Sequence, residues 1–242
     1  MIDIARHGVT MPSRRLDRDF FAQPTLALAR ALLGQRLVRR LDGRRLAGII
    51  VETEAYRGEE DLACHAAAGR TPRTEVMYGP PGHAYVYFVY GMHHCLNVVS
   101  EPRGYPAAVL IRALAPGEGI AVMAQHRGLA AKLAAETSGL TSARLARAVL
   151  EPGPVLRALL AGPGRLCQAL AIDRTLSGAS FTGRELFLEA ATAPGAIETT
   201  TRIGVDYAGP WREKRWRFVV AHSPWVSGVR GRAAPARAAR AR

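Results

Sequence analysis

The alternation of apolar and polar positions divides the chain into short segments of differing period. Residues 24–33 (PTLALARALL) place Leu26, Ala29 and Leu33 at helical spacing. Pro24 suits a first helical position and Gly34 can end the helix, so a helix is predicted there. Residues 36–41 and 46–56 follow strand patterning, and the Asp42-Gly43 dipeptide near the join is a hairpin signal. Residues 85–90 and 95–100 form a second strand pair around Gly91, and residues 107–114 a third apolar strand. Residues 115–127 read as a helix after Pro116, residues 142–150 and 166–170 as helices separated by Gly and Pro, and residues 186–190, 203–205 and 216–221 as short strands. Strands and helices mix without a regular βαβ alternation, which predicts an α+β domain with a largely antiparallel sheet.

Three stretches stand outside this pattern. Residues 1–15 carry no periodicity and are expected to be mobile. Residues 128–140 are rich in alanine and read as a surface insertion. Residues 228–242 (GVRGRAAPARAARAR) lack large apolar side chains and are expected to form a disordered basic tail. The predicted domain is therefore residues 16–227.

Composition narrows the class. Of 242 residues, 48% are apolar, enough for a substantial core. The longest apolar runs, such as residues 84–90, are far too short to cross a bilayer. The N-terminus has Arg6, Arg14 and Arg15 but no apolar block of a secretory signal. Cys64, Cys95 and Cys167 are an odd count without a C-x-x-C pair, which points to free thiols in a reducing compartment, the cytoplasm. Net charge is +13, and removing the five arginines of residues 228–242 leaves +8. Lysine is confined to Lys132 and Lys214, so coding bias explains arginine replacing lysine, but not the excess of bases over acids. A field of this sign favours polyanions, with nucleic acid ahead of an acidic membrane surface.

The candidate chemistry lies in three pieces. In residues 49–56 (IIVETEAY) a period of two puts Glu52, Glu54 and Tyr56 on one strand face. Carboxylates among apolar residues are costly to bury without partners, and one kept there can orient and deprotonate water. A salt-bridged structural Glu is the competing reading. Glu54 is nearer the strand end, where sites are open, and is the better catalytic candidate; Glu52 reads as structural. The following polar loop, residues 57–73, carries His65, and Arg70 and Arg73 flank Thr71-Pro72, where they can hold phosphates or be ordinary solvated charge.

Residues 80–100 (PPGHAYVYFVYGMHHCLNVVS) are the sharpest piece. Tyr85 and Tyr87 share one face, Phe88 and Tyr90 the other, and Gly91 permits a tight turn with Tyr90 and Met92 at the hairpin tip. A large side chain at a basic tip is suited to wedge between base pairs, and Tyr87 facing a pocket would supply an aromatic surface for an extruded base. Ordinary cross-strand packing is the alternative, and is preferred for Tyr85. His65, His93, His94, Cys64 and Cys95 raise the question of a metal, but their adjacent spacings match no standard ligand set, so no metal and no cofactor is expected. Gly162-Pro163-Gly164 reads as a break between helices rather than as a phosphate loop.

These residues resemble a known family. Residues 28–40 (LARALLGQRLVRR), 51–56 (VETEAY), 84–97 (AYVYFVYGMHHCLN), 109–114 (VLIRAL), 162–170 (GPGRLCQAL) and 223–227 (SPWVS) are similar, in order, to the 3-methyladenine (alkylpurine) DNA glycosylase family. The resemblance implies a single compact α+β domain with a curved antiparallel sheet, a protruding hairpin and surrounding helices. It implies excision of alkylated or deaminated purines from double-stranded DNA by a monomer at the nucleoid, without a membrane or an obligate protein partner. It puts the catalytic carboxylate on Glu54, an arginine near the catalytic water on Arg112, and pocket aromatics on Tyr56 and Tyr87 with His65 beside them. It puts the intercalating residue on Tyr90 and a selectivity residue that disfavours a guanine amino group on Asn97. His93 stands where the human relative has an aromatic. Two rivals remain: a non-catalytic nucleic-acid-binding protein, and a metal-dependent hydrolase using the His/Cys cluster.

Overall fold

Strand β2, Arg44–Arg57, is the spine of the molecule. It follows β1 (Arg36–Leu41) through a tight turn at Asp42-Gly43, where both residues have positive φ, as the dipeptide predicted. The computed structural model describes residues 14–139, 151–191 and 193–228. The expectations for a mobile start (apart from Arg14 and Arg15), a helix at 142–150 and a disordered tail beyond Gly228 fall outside these residues.

The first half of β2 pairs with β1 and its second half with β8 (Arg217–Val220); β5 (Ala107–Glu118) runs along the other edge. The hairpin of β3 (Ala84–Val89) and β4 (His93–Val99) continues the sheet beyond β5. Short strands β6 (Leu186–Glu189) and β7 (Ile197–Thr200) add to β1 and β8. The result is an eight-stranded antiparallel sheet, ordered β3-β4-β5-β2-β1-β6 with β8 and β7 off β2. The α+β class read from the segment pattern is the class observed.

Helices cover the face opposite the site. These are α1 (Arg18–Phe21), α2 (Thr25–Ala31), α3 (Ile120–His126), α4 (Ala130–Thr137), α5 (Pro154–Ala158) and α6 (Pro163–Ala169). Leu28, Leu32 and Leu33 of the α2 region meet Ile50, Ile111 and Leu114 of the sheet and Leu166 and Leu170 of the α6 region in one buried core. On this side of β2 the Thr53 hydroxyl donates to the Ala29 carbonyl at 2.8 Å. The alanine-rich segment read as an insertion forms α4, which buries none of its residues, yet its Glu136 carboxylate accepts the Val155 and Leu156 amides and so caps α5.

Two segments differ from the pattern reading. Residues 115–118 are strand, not helix, because β5 finds partners along the first half of β2: Ala115 opposite Ile49, Pro116 opposite Gly48 and Glu118 opposite Ala47. Residues 203–205 are a loop, and the strand before β8 is β7, whose sequence IETT hides its extended state behind polar side chains.

The sheet register assembles the site. Tyr85 lies opposite Asn97, Asn97 opposite Leu110, Leu110 opposite Glu54, and Glu54 opposite Arg217. These pairings place five side chains from β3, β4, β5, β2 and β8 in one row on one face. A slip of one residue in any strand would turn its member to the other face. Two bulges adjust the row: Val51 on β2 and Arg112 on β5 have no residue directly opposite. Bulges re-aim side chains beside functional sites, and Arg112 sits at one.

Gly48 marks another register shift. A Cβ there would stand 2.7 Å from the Ala115 carbonyl oxygen and 3.0 Å from the Leu114 Cβ. Gly48→Ala must push β2 and β5 apart and is expected to lose about 1–3 kcal/mol of stability, read as a lower denaturation midpoint. An unchanged midpoint would contradict the register described here.

Candidate active site

A cavity of about 280 Å³ opens on the row just described. Its walls include Tyr56, His65, Tyr85, Tyr87, Asn97 and Arg112, with Tyr90 of the hairpin and residues 203–205 at the mouth. Six predicted site residues, Tyr56, His65, Tyr87, Asn97, Arg112 and Tyr90, therefore line one cavity. Met92 stands beside Tyr90 on the hairpin and is 68% exposed.

Glu54 lies behind this wall. Its Oε2 accepts from the Tyr56 hydroxyl at 2.7 Å and from Arg112 Nη1 at 3.0 Å, and its Oε1 accepts the Ile203 amide at 2.8 Å. The residue is fully buried and is not itself on the cavity wall, which corrects the expectation of an open carboxylate near a strand end. It is covered by its own donors, each from a residue that does line the cavity. Three filled positions leave Oε1 one further acceptor direction beside the Ile203 amide.

Glu52 is the structural carboxylate the sequence reading took it for. It accepts from Arg112 Nε at 2.9 Å, from Arg217 Nε at 2.7 Å, and from the Ser227 amide and hydroxyl at 2.6 and 3.0 Å. Arg112 thus spans both carboxylates with one guanidinium. A third pair stands next to them: Arg202 grips Asp61 through two bonds of 2.6 and 2.9 Å, with its guanidinium 4.8 Å from the centre of the Tyr56 ring. Asp61, Arg202 and Arg217 carried no local signal, since their partners lie 141 and 165 residues away in sequence.

The aromatic slot is dense. The His65 ring meets Tyr87 edge-on at 4.4 Å between centroids, and its Nδ1 lies 2.9 Å from the Tyr85 hydroxyl. Its Nε2 faces Arg73 Nη2 at 3.3 Å. Arg73 can only donate, so Nε2 carries the lone pair and Nδ1–H donates to Tyr85. Burial, and then the Arg73 charge, push the His65 pKa down to about 4, so the ring is neutral at physiological pH. Burial also raises the Tyr56 and Tyr87 phenols, for Tyr56 with the neighbouring Glu54 charge, so both stay protonated. Tyr85, assigned to ordinary packing from sequence, is a wall residue; its shared parity with Tyr87 was the available signal. The Asn97 amide nitrogen donates to the Tyr85 carbonyl at 2.9 Å, leaving the carbonyl oxygen as the end free for a ligand.

The hairpin tip is built for display. Tyr90 and Gly91 both take left-handed backbone, φ 53° and 66°, in the turn closed by the Met92 amide on the Val89 carbonyl. Glycine accepts this freely, but a tyrosine held there costs roughly 1–3 kcal/mol. Tyr90 is nonetheless 79% exposed, so the pairing of β3 with β4, rather than packing of its ring, holds the turn.

The His and Cys residues weighed as metal ligands are scattered. His94 packs on Phe88, His65 is in the tyrosine slot, and Cys64 and Cys95 are buried free thiols. Among the described residues no group of three or more His, Cys, Asp or Glu is placed to hold a metal. Burial raises the Cys64 thiol to about 12 and Cys95 above its usual range, so neither is a nucleophile.

Comparison with known proteins gives a consistent result. The family described as methylpurine-DNA glycosylase matches residues 19–224. A relative in Methanocella arvoryzae, named "Putative 3-methyladenine DNA glycosylase", is 47% identical over 213 residues, covering 88% of this chain and 95% of the relative. One of the same name in Desulfitobacterium hafniense is 44% identical over 216 residues, covering 88% and 98%. The "DNA-3-methyladenine glycosylase" of Mus musculus is 45% identical over 229 residues, covering 90% of this chain and 62% of the mouse protein.

The neutral histidine has a measurable consequence. Its folded pKa of about 4 lies below the ordinary 6.5, so between these values the unfolded chain binds the proton and the folded chain does not. Stability contributed by the neutral ring is present above pH 6.5 and lost as pH falls towards 4. NMR titration of His65 should show a neutral ring down to about pH 4, and His65→Gln should flatten the decline in stability over that window. A ring titrating near 6.5 would contradict the geometry.

Proposed function

The chain belongs to the methylpurine-DNA glycosylase family, and from that premise we propose that it is a base-excision-repair enzyme that turns a damaged purine out of duplex DNA and hydrolyses its bond to the sugar. The observation that carries this reading is the pairing of Glu54, buried and held by Tyr56, Arg112 and the Ile203 amide, with a cavity walled by aromatic faces.

The extruded base occupies the slot between Tyr56, Tyr87 and His65. Aromatic faces attract an electron-poor ring, and a purine alkylated at N3 or N7 carries positive charge. A neutral His65 adds no charge to repel it. Such a base leaves with little help from an acid, and the slot offers only weak ones: the phenols keep their protons tightly and the imidazole is neutral at physiological pH. A neutral lesion such as hypoxanthine needs protonation or hydrogen bonding from elsewhere. The Asn97 carbonyl, an acceptor aimed at the cavity, is the residue we assign to purine selection.

Hydrolysis is the task of Glu54. Its remaining acceptor direction on Oε1 lies beside Ile203, which is 42% exposed at the mouth. Water enters there once the lip at residues 203–205 yields to DNA, and Glu54 orients and deprotonates it while Arg112 fixes the carboxylate. The same negative charge stabilises cationic character on the sugar. Among the described residues no lysine lines the cavity, so a Schiff-base lyase step has no nucleophile there and the product is an intact strand with an abasic site. Tyr90 fills the space left in the duplex, with Met92 beside it. The protein works as a monomer on damaged duplex DNA in the cytoplasm, a placement supported by three buried free cysteines. Among the described residues no helix is long and apolar enough to cross a membrane.

The test is excision from duplexes carrying 3-methyladenine, 7-methylguanine, hypoxanthine or ethenoadenine, scored as alkali-labile sites. The cationic alkylpurines are expected as substrates, and no excision from any of the four would overturn the reading. Glu54→Gln should slow single-turnover excision by about 10²–10⁴-fold while lesion-duplex affinity stays close to that of the unaltered protein; excision at the normal rate removes Glu54 from the mechanism. Tyr90→Ala should weaken lesion-duplex binding about tenfold, with a thermal midpoint close to that of the unaltered chain because the exposed ring packs on little and the left-handed backbone is kept. Unchanged affinity would count against the wedge.

A further inference from the structure

A second concavity of about 320 Å³ opens beside the base cavity and shares His65 and Tyr207 with it. Small residues line it, Cys64, Ala67 and Ala68 with Thr71 and Thr74, and its edge carries Leu62, Arg73 and Tyr207. Three features set it apart from ordinary surface.

Arg73 is exposed, and among the described residues no carboxylate pairs with it; its guanidinium bonds His65 Nε2 and stands 5.5 Å from the centre of the Tyr87 ring. Arg70, three residues earlier, is neutralised by a two-point bond to Glu75 at 2.8 and 2.6 Å. Of the two arginines flanking Thr71-Pro72, one is therefore occupied and one is free to meet an anion with its remaining donors.

Tyr207 is 71% exposed and Leu62 51%, although the backbone beneath them is firmly held. Arg202 is locked to Asp61, Val205 and Ala208 are buried against Ala63, and the Tyr207 hydroxyl reaches the Ala63 carbonyl at 3.4 Å. Among the described residues the exposed large apolar side chains are Leu62, Phe88, Tyr90, Met92, Ile203 and Tyr207. The first, fifth and sixth line the groove or the cavity mouth, and the others stand on the hairpin that carries Tyr90. Exposed apolar surface concentrated at a pocket mouth marks a binding surface.

The geometry points to this groove as a seat for one deoxyribose-phosphate unit of the damaged strand, next to the extruded nucleotide. Arg73 holds the phosphate, and Tyr207 with Leu62 covers the apolar face of the sugar. A sugar-phosphate unit is apolar on one side and anionic on the other, which matches an apolar rim interrupted by one unpaired guanidinium. Continuity with the base cavity through His65 and Tyr207 places that unit on the strand whose base is in the slot. The assignment rests on DNA being the substrate, but not on the role given to Glu54.

Equilibrium binding to a duplex bearing a stable abasic analogue, between about 50 and 200 mM salt, tests it. Arg73→Gln should lower the slope of log affinity against log salt by about 0.9, the loss of one phosphate contact. Arg70→Gln should leave slope and affinity as they are. Tyr207→Ala should weaken binding about fivefold without changing the slope, and Tyr207→Phe should restore it. An unaltered slope in Arg73→Gln, equal losses in Arg70→Gln and Arg73→Gln, or full affinity in Tyr207→Ala would each overturn the assignment. A protein that shows the expected binding pattern yet excises no base would refute the catalytic reading and leave the groove standing.

Discussion

Two carboxylates on the buried face of one strand are the constraint from which the site follows. Ionised groups removed from water are tolerated only with close countercharges and filled hydrogen-bonding positions. Glu52 and Glu54 meet this by sharing Arg112, with Arg217 and the Ser227 amide and hydroxyl completing Glu52, and Tyr56 and the Ile203 amide completing Glu54. Asp61 and Arg202 add a third opposed pair alongside. Three acids and three arginines from five separate parts of the chain can balance only when β2 and the loop after it, β5, β8 and the loops before and after β8 are all in place. The charge network therefore fixes the fold around the site as much as the fold fixes the network.

The same economy suits the cavity to the cationic base we propose for it. Most charge at the site lies in the paired layer, from which Arg112 reaches the wall, and the rest of the wall is made of neutral side chains. Burial keeps the phenols protonated, and burial with the Arg73 cation keeps His65 unprotonated. Arg73 itself lies at the rim, where solvent screens it and where the phosphates of a bound strand would run. A charge-balanced layer beneath, polarizable faces around and a cation at the rim are suited to a positively charged nucleobase attached to an anionic backbone.

What was legible in the sequence was what local rules determine. The Asp42-Gly43 turn, the parity that puts Glu52, Glu54 and Tyr56 together, and the display of Tyr90 at a glycine turn all depend on neighbours within a few residues. The extension of β5 through Pro116 to Glu118 was missed because pairing with β2 overrides a helix-like run. Residues 203–205 look like a strand in isolation, yet they are pinned as a loop by the Ile203 amide on Glu54 and by Arg202 on Asp61. Tyr85 packs against Tyr87, as read, and also faces the cavity, which its parity with Tyr87 alone could have shown. Arg202 and Arg217 had no signal at all, since charge pairing across more than a hundred residues leaves no trace in spacing, and Arg112 was placed at the site by the resemblance alone. The burial of Glu54 follows from the Ile203 amide, a partner 149 residues away that closes over it.

The central claim is that Glu54, sealed by its donors in the free protein, meets the attacking water once a damaged base fills the slot. A crystal structure of Glu54→Gln bound to a duplex carrying ethenoadenine tests this most directly. The account predicts the base between Tyr56, Tyr87 and His65, the lip at residues 203–205 displaced, and an ordered water hydrogen-bonded to the residue 54 side chain on the side of the sugar opposite the base. A base seated in the slot with residue 54 still closed off from any water would contradict it.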